Sequence, residues 1–193
     1  MKKFKLTSEF IVDISGVKLF RIKALIEFGN VKAGDLGGYI EKEKNLSHMG
    51  DAWVSDDARI SGNAQVFGNA QVFGNAQVFG DAWVFGNAWV FGNAWVFGNA
   101  RVSGNARVSG DAQVFGDARV SGDKDYAYAH GFGSCNRTTT FFRLKDGDVG
   151  VRCGCFYGTL AQFRDKVCET HGETKKAQEY LMLADLMEIR FKN

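Results

Sequence analysis

Residues 51–122 repeat a six-residue unit without an insertion, so these 72 residues contain twelve hexads. Each hexad has alanine at one position and valine or isoleucine two positions later, and most close on glycine followed by asparagine or aspartate, as in Gly68-Asn69. Residues two apart on a strand lie on the same side, so the alanine and the valine point inward together. Glycine and asparagine accept the left-handed backbone of a tight corner. A strand and a corner at a fixed period of six predict a parallel β-helix.

Two other structures are inconsistent with this repeat. Residues six apart do not share a helix face, and a glycine in every hexad would cost a helix about 1 kcal/mol each time. A disordered linker would not keep alanine, valine and aromatic residues in such strict recurrence. The chain also contains no proline in its 193 residues. This absence suits a continuous ladder of β hydrogen bonds, because proline has no backbone N–H to donate.

Different patterns flank the repeat. Residues 1–50 predict a β-rich N-terminal cap, with a hairpin turning at Ser15-Gly16 and a degenerate first coil over 40–50. We interpret 123–137 as a transition in which aromatic residues cover the last coil, since the hexad pattern decays there. The aromatic residues are Tyr126, Tyr128 and Phe132.

Residues 138–193 predict a small α+β domain made of a hairpin and two helices. The hairpin turns at Asp146-Gly147. Thr159 and Gln162 form a capping box for a first helix that Gly172 would end. The second helix is predicted from about Thr174 to Arg190, with one apolar stripe that packs against the rest of the domain.

The hexads, with their Gly-Asn-Ala-x-Val-x pattern, resemble the hexapeptide-repeat, left-handed β-helix family, and in particular its YdcK-like members. That resemblance implies a left-handed coil built from three hexads, so twelve hexads would form about four regular coils. At about 4.8 Å per coil the prism would be about 19 Å tall. The expected fold class is therefore mainly β: a left-handed parallel β-helix with a β-rich N-terminal cap and a small α+β C-terminal domain.

The flanking segments are similar to those of prophage-encoded repeat proteins. The similar segments are LFRIKALI at 19–26, GDLGGY at 34–39, EKNLS at 43–47, GDAWV at 50–54, CGCF at 153–156, GTLAQF at 158–163 and THG at 170–172. This resemblance implies an origin in a mobile element. A protein of that origin is expected to act on a phage or host partner, such as a host defence protein or a host nucleotide signal.

Composition excludes several classes of function. The net charge of +2 gives no general field for binding nucleic acid. No run of about 18 apolar residues is present, so no membrane-spanning helix is expected. The basic N-terminus lacks an apolar stretch of signal-peptide length, and the four cysteines are then expected as reduced thiols in the cytoplasm.

Outward positions of the hexads carry the candidate binding surface, because the inward positions hardly vary. Tryptophan stands before the valine in three consecutive hexads, which places one on each side of a single coil: Trp83, Trp89 and Trp95. Phenylalanine follows the valine in six consecutive hexads and once more later: Phe67, Phe73, Phe79, Phe85, Phe91, Phe97 and Phe115. Arginine takes the tryptophan slot elsewhere: Arg59, Arg101, Arg107 and Arg119.

Two interpretations of these outward rings stay open. Identical rings can stack coil on coil and exclude water among themselves. Alternatively they form a contact surface, because monomers rarely expose large apolar patches. On the second interpretation we expect a homo-oligomer, and the family resemblance implies a trimer. Aromatic faces beside arginine could also stack on the base and pair with the phosphate of a small nucleotide.

Cysteine and histidine residues suggest two further sites. Cys153 and Cys155 share a strand face, and Cys168 and His171 share a helix face, so these four could hold a structural zinc ion. Small buried cysteines are the alternative explanation, and no cofactor is predicted on balance. The family resemblance also implies a possible enzymatic activity, because many hexapeptide-repeat proteins are acyltransferases that use a catalytic histidine. The candidates for that base in this chain are His48 and His130.

The hexad array favours a non-catalytic binding or assembly module over an enzyme. No histidine and no inserted loop lies within 51–122, although acyl transfer remains the alternative activity. Sequestration of a nucleotide-type small molecule is the second alternative. The expected partners are a second copy of the chain and a host or phage protein.

Overall fold

A computed structural model describes residues 2–133 and 137–192 of the chain. Three longer strands precede the repeat: β1 (Phe4–Val12), β2 (Lys18–Ala24) and β3 (Leu36–Ile40). One two-residue strand per hexad follows: β4 (Trp53–Val54), β5 (Arg59–Ile60), β6 (Gln65–Val66), β7 (Gln71–Val72), β8 (Gln77–Val78), β9 (Trp83–Val84), β10 (Trp89–Val90), β11 (Trp95–Val96), β12 (Arg101–Val102), β13 (Arg107–Val108), β14 (Gln113–Val114) and β15 (Arg119–Val120).

The C-terminal part combines one sheet with two helices. Its strands are β16 (Tyr126–Phe132), β17 (Arg137–Arg143), β18 (Val149–Cys153) and β19 (Phe156–Thr159), and its helices are α1 (Leu160–His171) and α2 (Lys175–Phe191). Short 3-10 helices at Glu43–Asn45 and Asp123–Asp125 mark the two ends of the repeat. No helix in the described ranges is both long enough and apolar enough to cross a membrane.

The short strands form three parallel sheets, which are the three faces of a solenoid. The first face contains β4, β7, β10 and β13, the second β5, β8, β11 and β14, and the third β6, β9, β12 and β15. In each of the first nine hexads the valine or isoleucine pairs with the valine three hexads later, as Val72 does with Val90. The coil of three hexads is therefore confirmed.

The solenoid has about five turns, one more than the regular hexads supply. The extra turn precedes the array: Ile40 pairs with Ile60, and Leu46 forms a bridge with Val66. Both pairs are 20 residues apart rather than 18, because this turn contains two additional residues. The hairpin of β1 and β2 then extends the second face, since β2 pairs with β3.

The core of the solenoid consists of the inward alanine and valine columns. The alanine and the valine or isoleucine of all twelve hexads are fully buried. Burial of each valine side chain contributes about 1.5–3 kcal/mol. At the corners the coils approach closely: Gly86 has a φ of +70°, and a Cβ there would lie 3.0 Å from the backbone nitrogen of Gly104. Glycine is favoured at such corners for both reasons, although Asp56 takes the same place in the first hexad with a φ of +54°.

The N-terminal end of the solenoid exposes backbone carbonyls, because the N–H groups of each coil donate to the carbonyls of the next coil. Side-chain donors satisfy them. Lys3 Nζ donates to the carbonyls of Ala52 at 2.7 Å and Gly50 at 3.1 Å. Asn45 Nδ2 donates to Ala64 O at 2.8 Å on another side of the coil. Burial lowers the pKa of Lys3 to about 8, while the charge of Asp51 acts in the opposite direction.

The C-terminal end exposes backbone N–H groups instead, because no further coil follows to supply carbonyl acceptors. Side-chain oxygens accept from them. Asp123 Oδ1 accepts from the Arg107 N–H at 2.9 Å, and Thr140 Oγ1 accepts from the Gln113 N–H at 2.9 Å. Asp125 Oδ2 accepts from the Ser121 N–H at 2.9 Å. The two caps therefore differ in chemistry because the hydrogen-bond ladder has a direction.

Strand β17 joins the solenoid to the C-terminal domain. Its neighbouring residues Phe142 and Phe141 are both fully buried but point to opposite sides. Phe142 packs into the core of the solenoid, whereas Phe141 packs under α1 and α2. The same strand thus closes the open end of the solenoid and forms the floor of a second core.

The C-terminal domain contains the hairpin and the two helices predicted for it. The side chain of Thr159 accepts from the Gln162 N–H, and Gly172 follows α1 with a φ of +55°. The interpretation of 123–137 as a transition was incomplete, because β16 lies within it and pairs with β17. Tyr126 covers the last coil as expected, but Phe132 packs against the core of the C-terminal domain.

Candidate binding surface

The outward tryptophans lie at one level, one on each face, as their spacing predicts. Trp89 is on the first face, Trp95 on the second and Trp83 on the third. Each follows a glutamine in its column: Gln71, Gln77 and Gln65. The three faces therefore carry the same step from glutamine to tryptophan between the same two coils.

Phenylalanine rings stack along the edge of each face. The centroids of Phe67 and Phe85 are 4.9 Å apart at an angle of 3°. Phe73 stacks on Phe91 at 4.9 Å and 4°, and Phe79 on Phe97 at 4.8 Å and 13°. Each tryptophan meets the earlier phenylalanine edge-on, at 5.8 to 6.1 Å between centroids. We call these nine residues the aromatic belt: Phe67, Phe73, Phe79, Trp83, Phe85, Trp89, Phe91, Trp95 and Phe97.

The belt packs on itself and still meets solvent. Trp89 is 40% exposed, and the other eight belt residues are half-buried. Stacking therefore covers part of each ring and leaves the rest exposed to solvent. Both interpretations of the sequence pattern describe part of the surface.

Arginine covers tryptophan on two of the three faces. The guanidinium of Arg101 lies 3.9 Å from the centroid of Trp83, and that of Arg107 lies 4.9 Å from Trp89. On the second face the column continues from Trp95 to Gln113, and the phenylalanine stack continues to Phe115. Tyr157 of the C-terminal sheet then packs edge-on against Phe115 at 4.7 Å. The belt consequently has two arginine-topped faces and one that ends against the C-terminal domain.

Trp53 does not belong to this surface, although it takes the same position in its hexad. It is only 4% exposed, because the N-terminal cap covers it. The ring of Phe28 meets it edge-on at 5.4 Å. The sequence pattern placed Trp53 outward correctly but gave no signal that the loop containing Phe28 folds over it.

The two candidate catalytic histidines lie at opposite ends of the solenoid. His48 stacks on Phe4 at 4.3 Å in the N-terminal cap, and its Nδ1 accepts the Lys3 N–H at 3.2 Å. Burial lowers the pKa of His48, against an opposing effect of Glu43. His130 is exposed in the C-terminal sheet, with Nδ1 2.9 Å from Thr138 Oγ1. A single chain therefore does not bring both histidines to one site.

Three of the four candidate zinc ligands line one cavity. Cys153, Cys155 and His171 are at this cavity, between α1 and the turn that joins β18 to β19. Cys168 is exposed on α1 and is not part of the lining. In residues 2–133 and 137–192, no three His, Cys, Asp or Glu side chains are arranged to hold a metal ion. The fourth cysteine of the chain, Cys135, lies outside the described residues.

Sequence reasoning missed the other residues of this cavity, among them Arg137, Phe163 and Tyr180. Phe163 and Tyr180 follow the spacing of ordinary core residues on their helices, so nothing in the sequence distinguishes them. Arg137 is distant from both in the chain. Only the packing of α1 and α2 on the sheet brings the three together.

Comparison with known proteins agrees with the repeat and the geometry. The family model described as the YdcK β-solenoid repeat matches residues 58–74 and 100–114. No curated protein matches the chain. Both matched stretches lie in the solenoid, where each hexad pairs with the hexad three places along the chain. The solenoid of this chain is therefore a YdcK-like repeat β-helix.

Proposed function

We propose that this protein is a non-catalytic binding and assembly module of phage or prophage type, which contacts other protein chains through the aromatic belt. The proposal rests on one observation: the three tryptophans lie at the same level of the solenoid. They occupy all three faces of one coil and remain partly exposed after their rings have stacked. Partly exposed aromatic clusters flanked by arginine have the composition of protein interfaces.

The distribution of the belt favours a protein partner over a small molecule. A small ligand needs one concave site, whereas the belt repeats the same cluster around a convex prism. Side chains of neighbouring copies or of one large partner can contact several faces at once. Arg101 and Arg107 would supply charge-assisted hydrogen bonds at the rim of such a contact.

Nucleotide sequestration receives less support from the same geometry. A nucleotide would need a free tryptophan face beside an arginine. The guanidinium groups of Arg101 and Arg107 already lie over Trp83 and Trp89, and the column of Trp95 continues with Gln113 in place of an arginine. Acyl transfer would require a second chain to complete a site around His48 or His130. Neither alternative has an observation of its own in its favour.

The proposal can be tested by replacing each tryptophan with the glutamine that its own column has one coil earlier. Replacing Trp83, Trp89 and Trp95 by glutamine creates only hexads that this solenoid already contains, at 63–80 and 111–116, so the solenoid should fold normally. Sedimentation velocity and native mass spectrometry would compare the wild-type protein with this triple variant. We expect the wild-type protein to be an oligomer, with a trimer as the first expectation. The triple variant should dissociate.

The matched control replaces Gln65, Gln71 and Gln77 by alanine, in the same columns one coil earlier. This variant should keep the subunit number of the wild-type protein. A wild-type monomer at about ten micromolar would contradict self-assembly. Equal dissociation of both triple variants would show that the belt is not the interface.

A further inference from the structure

The C-terminal domain contains a cavity of about 280 Å³ that the proposed binding function does not use. It opens between α1 and the turn that joins β18 to β19. This volume is close to the lower end of the range for small-molecule sites, which is about 300–1,000 Å³. A ligand of one or two rings would fill it.

Aromatic rings form the walls of the cavity. Phe156 and Phe163 lie 5.5 Å apart, and Phe163 meets Tyr180 edge-on at 5.6 Å. His171 stacks on Tyr180 at 5.9 Å. Phe163 and Tyr180 are buried and held by α1 and α2, so these walls are preformed rather than mobile surface rings. Flat apolar groups are the chemistry that such walls accept.

The charge at the mouth is positive. Arg137 and Lys166 are the only Arg or Lys side chains in the described lining, and none of the lining residues is Asp or Glu. Lys166 forms an ion pair with Glu169 at 2.8 Å outside the lining. Arg137 and Lys166 each carry a positive charge and Glu169 a negative one, so these three groups have a net charge of +1, which matches a monoanion.

Arg137 is placed at the mouth by the backbone of the neighbouring hairpin. Gly154 has a φ of +58°, and the guanidinium Nη1 of Arg137 occupies the space that a side chain there would fill. Glycine between Cys153 and Cys155 thus allows the planar guanidinium to lie beside the cavity. A guanidinium presents two parallel N–H groups, the geometry that a carboxylate accepts best.

We propose that this cavity is a binding site for a small aromatic monocarboxylate. The ring of the ligand lies among Phe156, Phe163, Tyr180 and His171, and its carboxylate pairs with the guanidinium of Arg137. This site shares no residue with the aromatic belt, and all of its described lining belongs to one chain.

Binding of 1-naphthoate to the full-length protein tests the site, with ligand-detected saturation-transfer NMR and ¹H–¹⁵N shifts as readouts. We expect saturable binding with a Kd of about 1 mM or tighter. The shifts should fall on α1 and on the β18–β19 turn. The neutral analogue 1-naphthalenemethanol should bind about tenfold more weakly, because it lacks the charge that pairs with Arg137.

Two variants separate recognition from folding. Arg137→Gln should weaken 1-naphthoate binding about tenfold or more and leave the thermal midpoint unchanged, since Arg137 is exposed. Thr170→Trp, which fills the mouth from the exposed side of α1, should abolish binding. Lys175→Gln, a change of exposed charge outside the cavity, is the matched control and should bind like the wild type.

Three results would overturn the site. They are an absence of saturable binding at 10 mM 1-naphthoate, equal affinity for the acid and the alcohol, and equal affinity of the wild-type and Arg137→Gln proteins. Each can be obtained whatever the belt experiments show, because no belt residue lines this cavity.

Discussion

At the scale of single residues, the ends of the solenoid show how a few polar side chains permit a repeat to stop. Lys3 and Asn45 donate to the carbonyls of the first coil, and Asp123, Asp125 and Thr140 accept from the N–H groups of the last. An unpaired buried backbone group costs about 1–3 kcal/mol, so the caps contribute by satisfying groups that every interior coil satisfies automatically.

Asp125 offers a pH test of such a cap. Burial would raise the pKa of its carboxyl group, but hydrogen bonds from the Ser121 hydroxyl and from the N–H groups of Ser121 and Gly122 lower it overall. A carboxyl group with a depressed folded pKa stabilises the protein above its unfolded value of about 3.9. That stabilisation disappears as the pH falls through the folded pKa.

We therefore expect Asp125→Asn to lower the free energy of unfolding by about 1–3 kcal/mol at pH 7. The difference from the wild type should shrink below about pH 4. Urea unfolding followed by tryptophan fluorescence at several pH values measures both. Asp165→Asn, on the exposed side of α1, is the control and should show no such gap. A gap that is independent of pH would contradict the assigned role of the carboxylate.

At the scale of the elements, the columns of the solenoid share a direction. Asn69 donates from Nδ2 to the side-chain oxygen of Asn87, which donates to Asn105 in the same way. Two other corner columns end on aspartate, at Asp111 and Asp117. A carboxylate accepts a hydrogen bond without having to donate onward, which suits the last place, and Asp81 accepts from Asn63 in the same way within the column that ends at Asp117.

The contribution of a phenylalanine column to the stability of the fold can be measured separately. Phe85 stacks on Phe67, and its column continues with serine at Ser103. Phe85→Ser therefore introduces a residue that this column already contains. We expect a loss of about 1–2 kcal/mol from the lost stacking and from the reduced burial of a half-exposed ring.

Chemical denaturation with a constant m-value would measure that loss. Ser103→Ala at the next place in the column is the control, and it should change stability by no more than about 0.5 kcal/mol. If Phe85→Ser costs no more than its control, the stack is a binding surface only and does not stabilise the fold.

At the scale of the whole molecule, the solenoid behaves as a stack in which each coil contacts only its neighbours. Residues 69–86 are one complete coil of three hexads. Their deletion joins Gly68 to Asn87 and keeps every column in register. We expect the shortened protein to fold, with both caps in place and with a lower free energy of unfolding.

Removal of 70–86, one residue fewer, is the matched control. It shifts the following hexads by one position, which turns inward valines outward because side chains alternate along a strand. Circular dichroism and thermal unfolding should show a cooperative transition only for the first deletion. Loss of folding in both proteins would contradict a repeat built from independent coils.

The sequence by itself determined the solenoid and the positions that face outward. The period of six leaves one inward set, Ala and Val, and the paired columns follow from the three hexads per coil that the family resemblance implies. The capping box at Thr159 and the helix end at Gly172 were equally local, so they too could be predicted. Such features depend on neighbours in the chain or on an exact repeat.

Only the tertiary structure decided which distant residues meet at the two ends. Lys3 reaches Ala52 and Phe28 covers Trp53 because the N-terminal cap folds back over the first coil. Arg137 and Tyr180 share a cavity because α2 packs on the C-terminal sheet. These contacts depend on how separate elements dock, and docking depends on the shapes of buried surfaces, which no local pattern of residues specifies.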